Sequence, residues 1–352
     1  MLGPSWFSGR AFSYMAYFLG IDGGGTRTTA WLSDHKKRIL ARALVGPANP
    51  LKVGFEATQH ELLKATHDVF RQAKVAAGFS PPHRRAAPKG GATVMALEAV
   101  CAGLAGVDRP QVHRRLFAWL RRAIPARHHL LTSDAAIALR AAIGNSPGVI
   151  VVSGTGSIAY GRDDRGRVLR SGGWGVPFDD AGSGYDLGRK AIVAALRDYD
   201  GRGSYTQLTK KVCAALRIPD ITQVVLKELT PKDIAALFPL VLEAARRRDA
   251  VAQQLCDEAG RDLAELAVAL LRRMGWLRRV IPVVYAGGIF RSSGRIRRSV
   301  TRHLRRHAPQ ARVLLLRHPP VEGALALARD LAKSDQPSSA RSPRRSRSKR
   351  GS

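Results

Sequence analysis

Tyr17-Phe18-Leu19-Gly20-Ile21-Asp22-Gly23-Gly24-Gly25-Thr26 is a short apolar run that breaks into a glycine-rich turn. A run this brief, without helical spacing, reads as a buried strand. Thr28–Leu32 is a second strand, so the turn joins strand to strand. A polar turn (Ser33-Asp34-His35-Lys36-Lys37) and another apolar segment follow. The same plan returns about 131 residues later: Gly148–Val152 runs into Ser153-Gly154-Thr155-Gly156-Ser157, then Ile158–Tyr160, the polar Arg162–Gly166 and Val168-Leu169. Strand, Gly-rich hairpin, strand, polar turn, strand, twice over, predicts two similar domains facing each other.

The remaining pattern is layered. Glu56–Ala77 has helical periodicity and precedes a Pro/basic loop, Ser80–Gly90. A buried strand and Gly-rich turn span Ala92–Gly106, and Gln111–Ala123 is a basic amphipathic helix. After the second repeat come helices at Tyr185–Leu196, Tyr205–Leu216, Pro231–Glu243 and Asp249–Met274. Val280–Tyr285 is a strand entering Ala286-Gly287-Gly288-Ile289; Arg312–Leu316 is another, and Val321–Ala332 a closing helix. Strands joined by helical crossovers predict α/β layers. The 352 residues suffice for two domains and a cleft between them. The expected division is an extension at 1–14, an N-terminal domain at 15–144 closed by helix 320–333, a C-terminal domain at 145–319, and a disordered tail at 334–352.

Composition narrows the partners. The net charge of +31 would suit nucleic acid if it formed a stripe. The tail from Ser334 carries six Arg/Lys, however, and 52 remain against 26 acids elsewhere, spread over helices such as Arg246–Arg248 and Arg302–Arg306. Aromatic residues, at 6%, do not interleave with the basic runs, which argues against stacking on bases. No run of 18 apolar residues occurs, so no membrane span is expected. Arg10 interrupts the first residues, a poor signal peptide, and Met15 just ahead of the first strand is a candidate start. Three scattered cysteines, Cys101, Cys213 and Cys256, argue against a disulfide framework or a zinc site and fit a reducing cytoplasm. A homodimer is a candidate assembly.

The turns carry the chemistry. Glycines let a backbone approach phosphate closely, while free N–H groups and the Thr26 hydroxyl can donate to its oxygens. Asp22 beside them can hold Mg²⁺ through water. A ligand-free hairpin is the plainer reading of one such turn, but two in matching places favour phosphate. Neither matches the strand–GxxxxGK[ST]–helix pattern, no lysine follows either, and no helix opens there as a dinucleotide fold requires. Ala286–Ile289 is a third close-approach turn, suited to adenosine. Asp134, in Leu131-Thr132-Ser133-Asp134-Ala135-Ala136, stands where a strand gives way to an apolar helix: either a helix cap or the carboxylate that takes a proton from an attacking hydroxyl. Gly172-Gly173-Trp174-Gly175 through Asp179-Asp180-Ala181-Gly182-Ser183-Gly184 crowds glycines, a tryptophan and two acids together. Trp174 could be core, and the acids could hydrogen-bond sugar hydroxyls.

On these motifs, from Tyr17 to Leu331, the chain resembles the BadF/BadG/BcrA/BcrD-type ATPase family and, within it, the N-acetylglucosamine kinases. Asp22–Thr26 looks like the family's first phosphate motif, Ser153–Ser157 like its second, and Ala286–Ile289 like its adenosine motif. The resemblance implies two ribonuclease-H-like domains of the actin/hexokinase/Hsp70 fold closing on ATP and Mg²⁺, with Asp134 as base. It places ATP on Gly23, Gly24, Gly25, Thr26, Gly154, Thr155, Gly156, Gly287, Gly288 and Ser292. It places the sugar on Asn49, Asp134, Ser157, Gly173, Trp174, Gly175 and Asp180. The implied reaction phosphorylates N-acetylglucosamine or glucosamine at the 6-hydroxyl. The kinases usually read Gly-Asp-Glu-Gly-Ser where this chain has Asp179–Ser183, so one acid is lost, and Ile158 replaces a polar residue of some members. Two other roles stand beside this one. A radical-dehydratase activator would need cysteines on a [4Fe–4S] cluster; here Cys101 is expected in a turn, and Cys213 and Cys256 in amphipathic helices. An amino-sugar sensor without catalysis is the second.

Overall fold

The computed structural model describes residues 16–73, 97–176 and 178–334. The expected extension (1–14), the Pro/basic loop at 80–90 and the tail beyond 334 lie outside them. The chain divides into two compact units. One takes residues through Ala102, Gly106–Leu131 and those from Leu325; the other takes Gly103–Ala105 and Thr132–Ala324.

The first unit is built on β1 (Tyr17–Gly23), β2 (Thr28–Asp34), β3 (Ile39–Val45), helix α1 (Pro50–Gln72), β4 (Leu97–Leu104), α2 (Pro110–Ala123) and β5 (Ala126–Ser133). Its five-stranded sheet has the order β3-β2-β1-β4-β5. β1 and β2 are antiparallel, pairing Gly23 with Thr28 across the Gly-rich turn, and β3 returns antiparallel to β2. Leu19, Ile21, Ala30 and Leu32 are fully buried. Each of the leucine and isoleucine side chains contributes about 1.5–3 kcal/mol.

The second unit repeats the plan. It begins with α3 (Asp134–Ile143), then β6 (Gly148–Ser153), β7 (Ser157–Arg162) and β8 (Val168–Gly172). Helices α4 (Gly184–Tyr199), α5 (Leu208–Leu216), α6 (Pro231–Ala235), α7 (Phe238–Arg246) and α8 (Ala250–Arg273) follow. Then come β9 (Pro282–Ala286), α9 (Gly288–Ser292), α10 (Gly294–His307), β10 (Arg312–Leu315) and α11 (Pro320–Ser334), which crosses the division. The sheet order is β10-β9-β6-β7-β8, with β6-β7-β8 antiparallel and β9 parallel to both β6 and β10. A three-strand meander extended by two further strands is the ribonuclease-H-like topology, here twice in one chain. The expected α/β fold is the observed one.

Several expected elements shift, each for a local reason. The single helix expected at Pro231–Glu243 is two. Thr230 and Asp233 form a capping box on α6, and α7 restarts with a proline in its first turn, where the missing N–H costs nothing. Helix α1 starts at Pro50, capped by Asn49, and breaks at Gly54 (φ 82°, ψ 168°). Cys101 is not in a turn: it lies inside β4, fully buried, and burial pushes its thiol pKa far up. Cys256 is buried in α8 and pushed up to about 11 by burial. Among the described residues, no helix is long and apolar enough to cross a membrane.

Candidate active site

In the first unit the site begins at the end of β1. Asp22 is half-buried and pairs with Thr29, and beyond it Gly25 and Thr26 are exposed. Gly24 N–H donates to the Arg27 carbonyl at 3.0 Å, closing the turn, and the Gly24 carbonyl accepts from Ala48 N–H at 3.1 Å. That second bond ties the turn to the Gly46–Asn49 segment, itself pinned where Gly46 N–H donates to Glu61 Oε2 at 2.7 Å. Asn49 is buried, and its Oδ1 caps α1 by accepting from Leu51 N–H at 3.0 Å. The side-chain NH₂ is the group left to donate. Lys52, three residues on, packs its side chain against Gly25.

In the second unit the Ser153–Ser157 turn is braced by the acid loop. Gly154 N–H donates to the Gly156 carbonyl at 2.9 Å. Asp180 Oδ1 accepts from Ser157 N–H at 2.9 Å, Ser157 Oγ donates to the Ala181 carbonyl at 2.8 Å, and Ser153 Oγ donates to the Gly182 carbonyl at 3.0 Å. Gly184 N–H returns a bond to the Gly154 carbonyl at 2.8 Å. Asp180 is buried with φ 73°, a left-handed conformation that Asp tolerates better than most residues. The loop is held in turn where Gly182 N–H donates to Asp186 Oδ2 and Lys190 sits 2.8 Å from that carboxylate. The adenosine-type turn meets the same strand end: a methyl built on Gly287 would lie 2.0 Å from the Ser153 carbonyl oxygen. So Ser153, Gly154, Gly156, Ser157, Asp180 and Gly287 form one cluster. Gly154 and Gly288 face open space. Ser292 is exposed at the end of α9.

Asp134 is the first residue of α3, not its cap. Ser133 caps, with Oγ accepting from Ala136 N–H at 3.1 Å, while Asp134 Oδ1 accepts from Ala135 N–H at 2.8 Å. The carboxylate is half-buried. Helix α3 is fixed by fully buried Ile137 and by α11, where a methyl on Gly323 would be 1.9 Å from the Ile137 carbonyl oxygen. Trp174 is not core: it is 57% exposed, with the Arg170 guanidinium 4.2 Å from its ring centre. Arg170 also donates to the Gly172 carbonyl at 2.9 Å, and Ile158 packs under Gly173. Lys52 and Arg170 escaped the sequence reading because neither belongs to a turn motif; each arrives from a neighbouring element.

Among the described residues, no group of three or more His, Cys, Asp or Glu side chains gathers as a metal cage. A carboxylate such as Asp22, close to the exposed Gly25–Thr26 tip, fits a Mg²⁺ that arrives with phosphate and keeps several waters.

Two ribonuclease-H-like units, each turning on a Gly-rich hairpin, define an actin-like ATPase fold. The chain belongs to the BadF/BadG/BcrA/BcrD ATPase family, whose model matches residues 19–328. It is 30% identical over 319 residues to the N-acetylmuramic acid/N-acetylglucosamine kinase of Clostridium acetobutylicum, covering 90% of this chain and 99% of that one. It is 27% identical to the N-acetyl-D-glucosamine kinase of Dictyostelium discoideum, over 88% of this chain and 97% of the relative. A solved candidate N-acetylglucosamine kinase from Chromobacterium violaceum superposes with a TM-score of 0.71 at 29% identity, covering 90% of this chain and 99% of that chain.

Proposed function

We propose that this protein is an ATP-dependent amino-sugar kinase, acting on N-acetylglucosamine first and glucosamine second, at the 6-hydroxyl. The observation that carries the reading is the pair of Gly-rich hairpins after β1 and β6 together with a carboxylate, Asp134, opening α3. Relatives matched over 90% and 88% of the chain are named as kinases of such sugars. Gly25, Thr26, Thr155 and Gly156 would offer backbone N–H groups to phosphate oxygens, Gly23, Gly24 and Gly154 would let the backbone approach closely, and Gly287, Gly288 and Ser292 would line the adenosine. Asp22 is the proposed holder of Mg²⁺, which when bound spreads the phosphate charge.

Asp134 is the proposed base. It takes the proton of the sugar hydroxyl as that oxygen bonds to the γ-phosphorus and the bond from phosphorus to ADP breaks. Asn49, through its NH₂, and Ser157, Gly173, Trp174, Gly175 and Asp180 would hold the sugar. The exposed Trp174 ring offers an apolar wall. Ile158 beneath Gly173 offers an apolar niche that suits an acetyl group better than an ammonium. The cytoplasm is the proposed compartment.

Release of ADP, measured with N-acetylglucosamine, glucosamine, N-acetylmuramic acid and glucose in turn, tests the reading. Turnover is expected with the amino sugars and highest with N-acetylglucosamine. ADP release that no sugar stimulates would refute it.

A further inference from the structure

A methyl carbon built on Gly25 would lie 3.2 Å from Lys52 Cδ and 3.3 Å from Lys52 Nζ. The Lys52 side chain therefore lies along the exposed tip of the first Gly-rich turn, with its ammonium at the tip. Its approach is set by the first turn of α1: Asn49 caps it, Pro50 follows, and Gly54 breaks the helix just beyond. Lys52 N–H donates to the Asn49 carbonyl at 2.9 Å, fixing the backbone from which the side chain departs.

Two features bear on the role of this ammonium. It has no ion pair or side-chain hydrogen bond among the described residues, and the first turn of α1 holds no acidic residue. A cation in a first turn also stands against the positive end of the helix dipole, an unfavourable arrangement. An anion seated on the Gly25–Thr26 tip would offset both. Phosphate-binding loops combine backbone N–H groups with one lysine, and this turn has no lysine of its own in sequence.

We infer that Lys52 is the cationic partner of the first turn, donating from Nζ to an oxygen of the transferred phosphoryl group. The inference rests on the kinase reading. The ammonium keeps its proton throughout: the hydroxyl proton goes to Asp134, the sugar oxygen bonds to phosphorus, and the bond from phosphorus to ADP breaks. Lys52 acts only on charge that the phosphoryl group carries.

The test compares the full chain with Lys52→Gln and Lys52→Arg. Lys52→Gln should lower kcat about 10²-fold, the usual loss of one charge-stabilising donor, and equally for every sugar accepted. Its Tm should stay within about 2 °C, since the site is exposed, and Lys52→Arg should recover part of the rate. A kcat within twofold of wild type overturns the inference. So does a loss confined to N-acetylmuramic acid, which would put the ammonium on that sugar's carboxylate. If the wild type turns over no sugar, the kinase reading fails, and calorimetric binding of inorganic tripolyphosphate decides about Lys52. Binding weakened about tenfold or more by Lys52→Gln, roughly 1.4 kcal/mol, supports it; equal affinities, or no binding by the wild type, overturn it.

Discussion

Gly287→Ala and Gly288→Ala change neighbouring glycines by the same methyl and should behave in opposite ways. Gly287 has φ 102° and ψ 172°, a region that residues with a Cβ occupy only at a cost of about 1–3 kcal/mol. Its methyl would also lie 2.0 Å from the Ser153 carbonyl oxygen and 2.6 Å from the carbonyl carbon. Both are backbone atoms at the end of a central strand, so they cannot swing aside, and overpacking of this kind adds about 1–3 kcal/mol. Together these give roughly 2–6 kcal/mol, or a fall in Tm on the order of 10 °C for a unit of this size. Gly288 opens α9, and a methyl there meets no atom within 4 Å. Gly288→Ala should therefore hold its Tm to about 2 °C. It should instead weaken ATP binding, because the methyl projects where the proposed adenosine would lie. Scanning calorimetry of both variants, with and without ATP, reads the difference. Equal Tm losses, or a Gly287→Ala protein as stable as wild type, would refute the close-packing argument.

Asp134→Asn should lower kcat by about 10²–10⁴-fold while ATP still binds, the range for a positioned base; near wild-type turnover would remove Asp134 from the role. Lys190 lies 2.8 Å from Asp186 and 3.3 Å from Asp262. Lys190→Met removes the cation that both acids share, leaving Asp186 with Arg189 and Asp262 with Arg261, so unfolding should show a loss of about 1–3 kcal/mol. Burial opposes the Lys190 charge, but the hydrogen bond to Asp186 and the charges of Asp186 and Asp262 outweigh it and raise its pKa above 10.5. The stability gap between wild type and Lys190→Met should therefore hold through neutral pH and close only above that value. A gap that vanished by pH 8 would contradict the pairing. Iodoacetamide on the native protein should label half-exposed Cys213 well before Cys101 and Cys256, which are buried. Mass mapping that found Cys101 modified first would contradict its place inside β4.

The parts of this architecture that were legible in sequence are those fixed by neighbours along the chain. Tyr17–Gly23 and Gly148–Ser153 read as strands because apolar runs ending in glycine allow little else, and the hairpins after them set their own register. Their recurrence made the doubled α/β fold legible. What sequence hid depends on distant contacts. Cys101 reads as a turn because Gly103 and Gly106 follow closely, yet burial makes its segment a strand. Trp174 reads equally as core or surface until Arg170 is seen stacked on it. Asp180 appears as a ligand for hydroxyls, but its visible work is to hold the Ser157 N–H across 23 residues of chain. Lys52 has no motif at all; only the packing of α1 beside the first turn brings it there.

Phosphorus NMR of the product formed from ATP and N-acetylglucosamine separates sugar phosphorylation from plain ATP hydrolysis. One new phosphomonoester is expected, coupled to the two protons on carbon 6, appearing in step with ADP and about 10²–10⁴-fold more slowly when Asp134→Asn replaces the wild type. ADP and inorganic phosphate with no sugar ester would contradict the kinase reading.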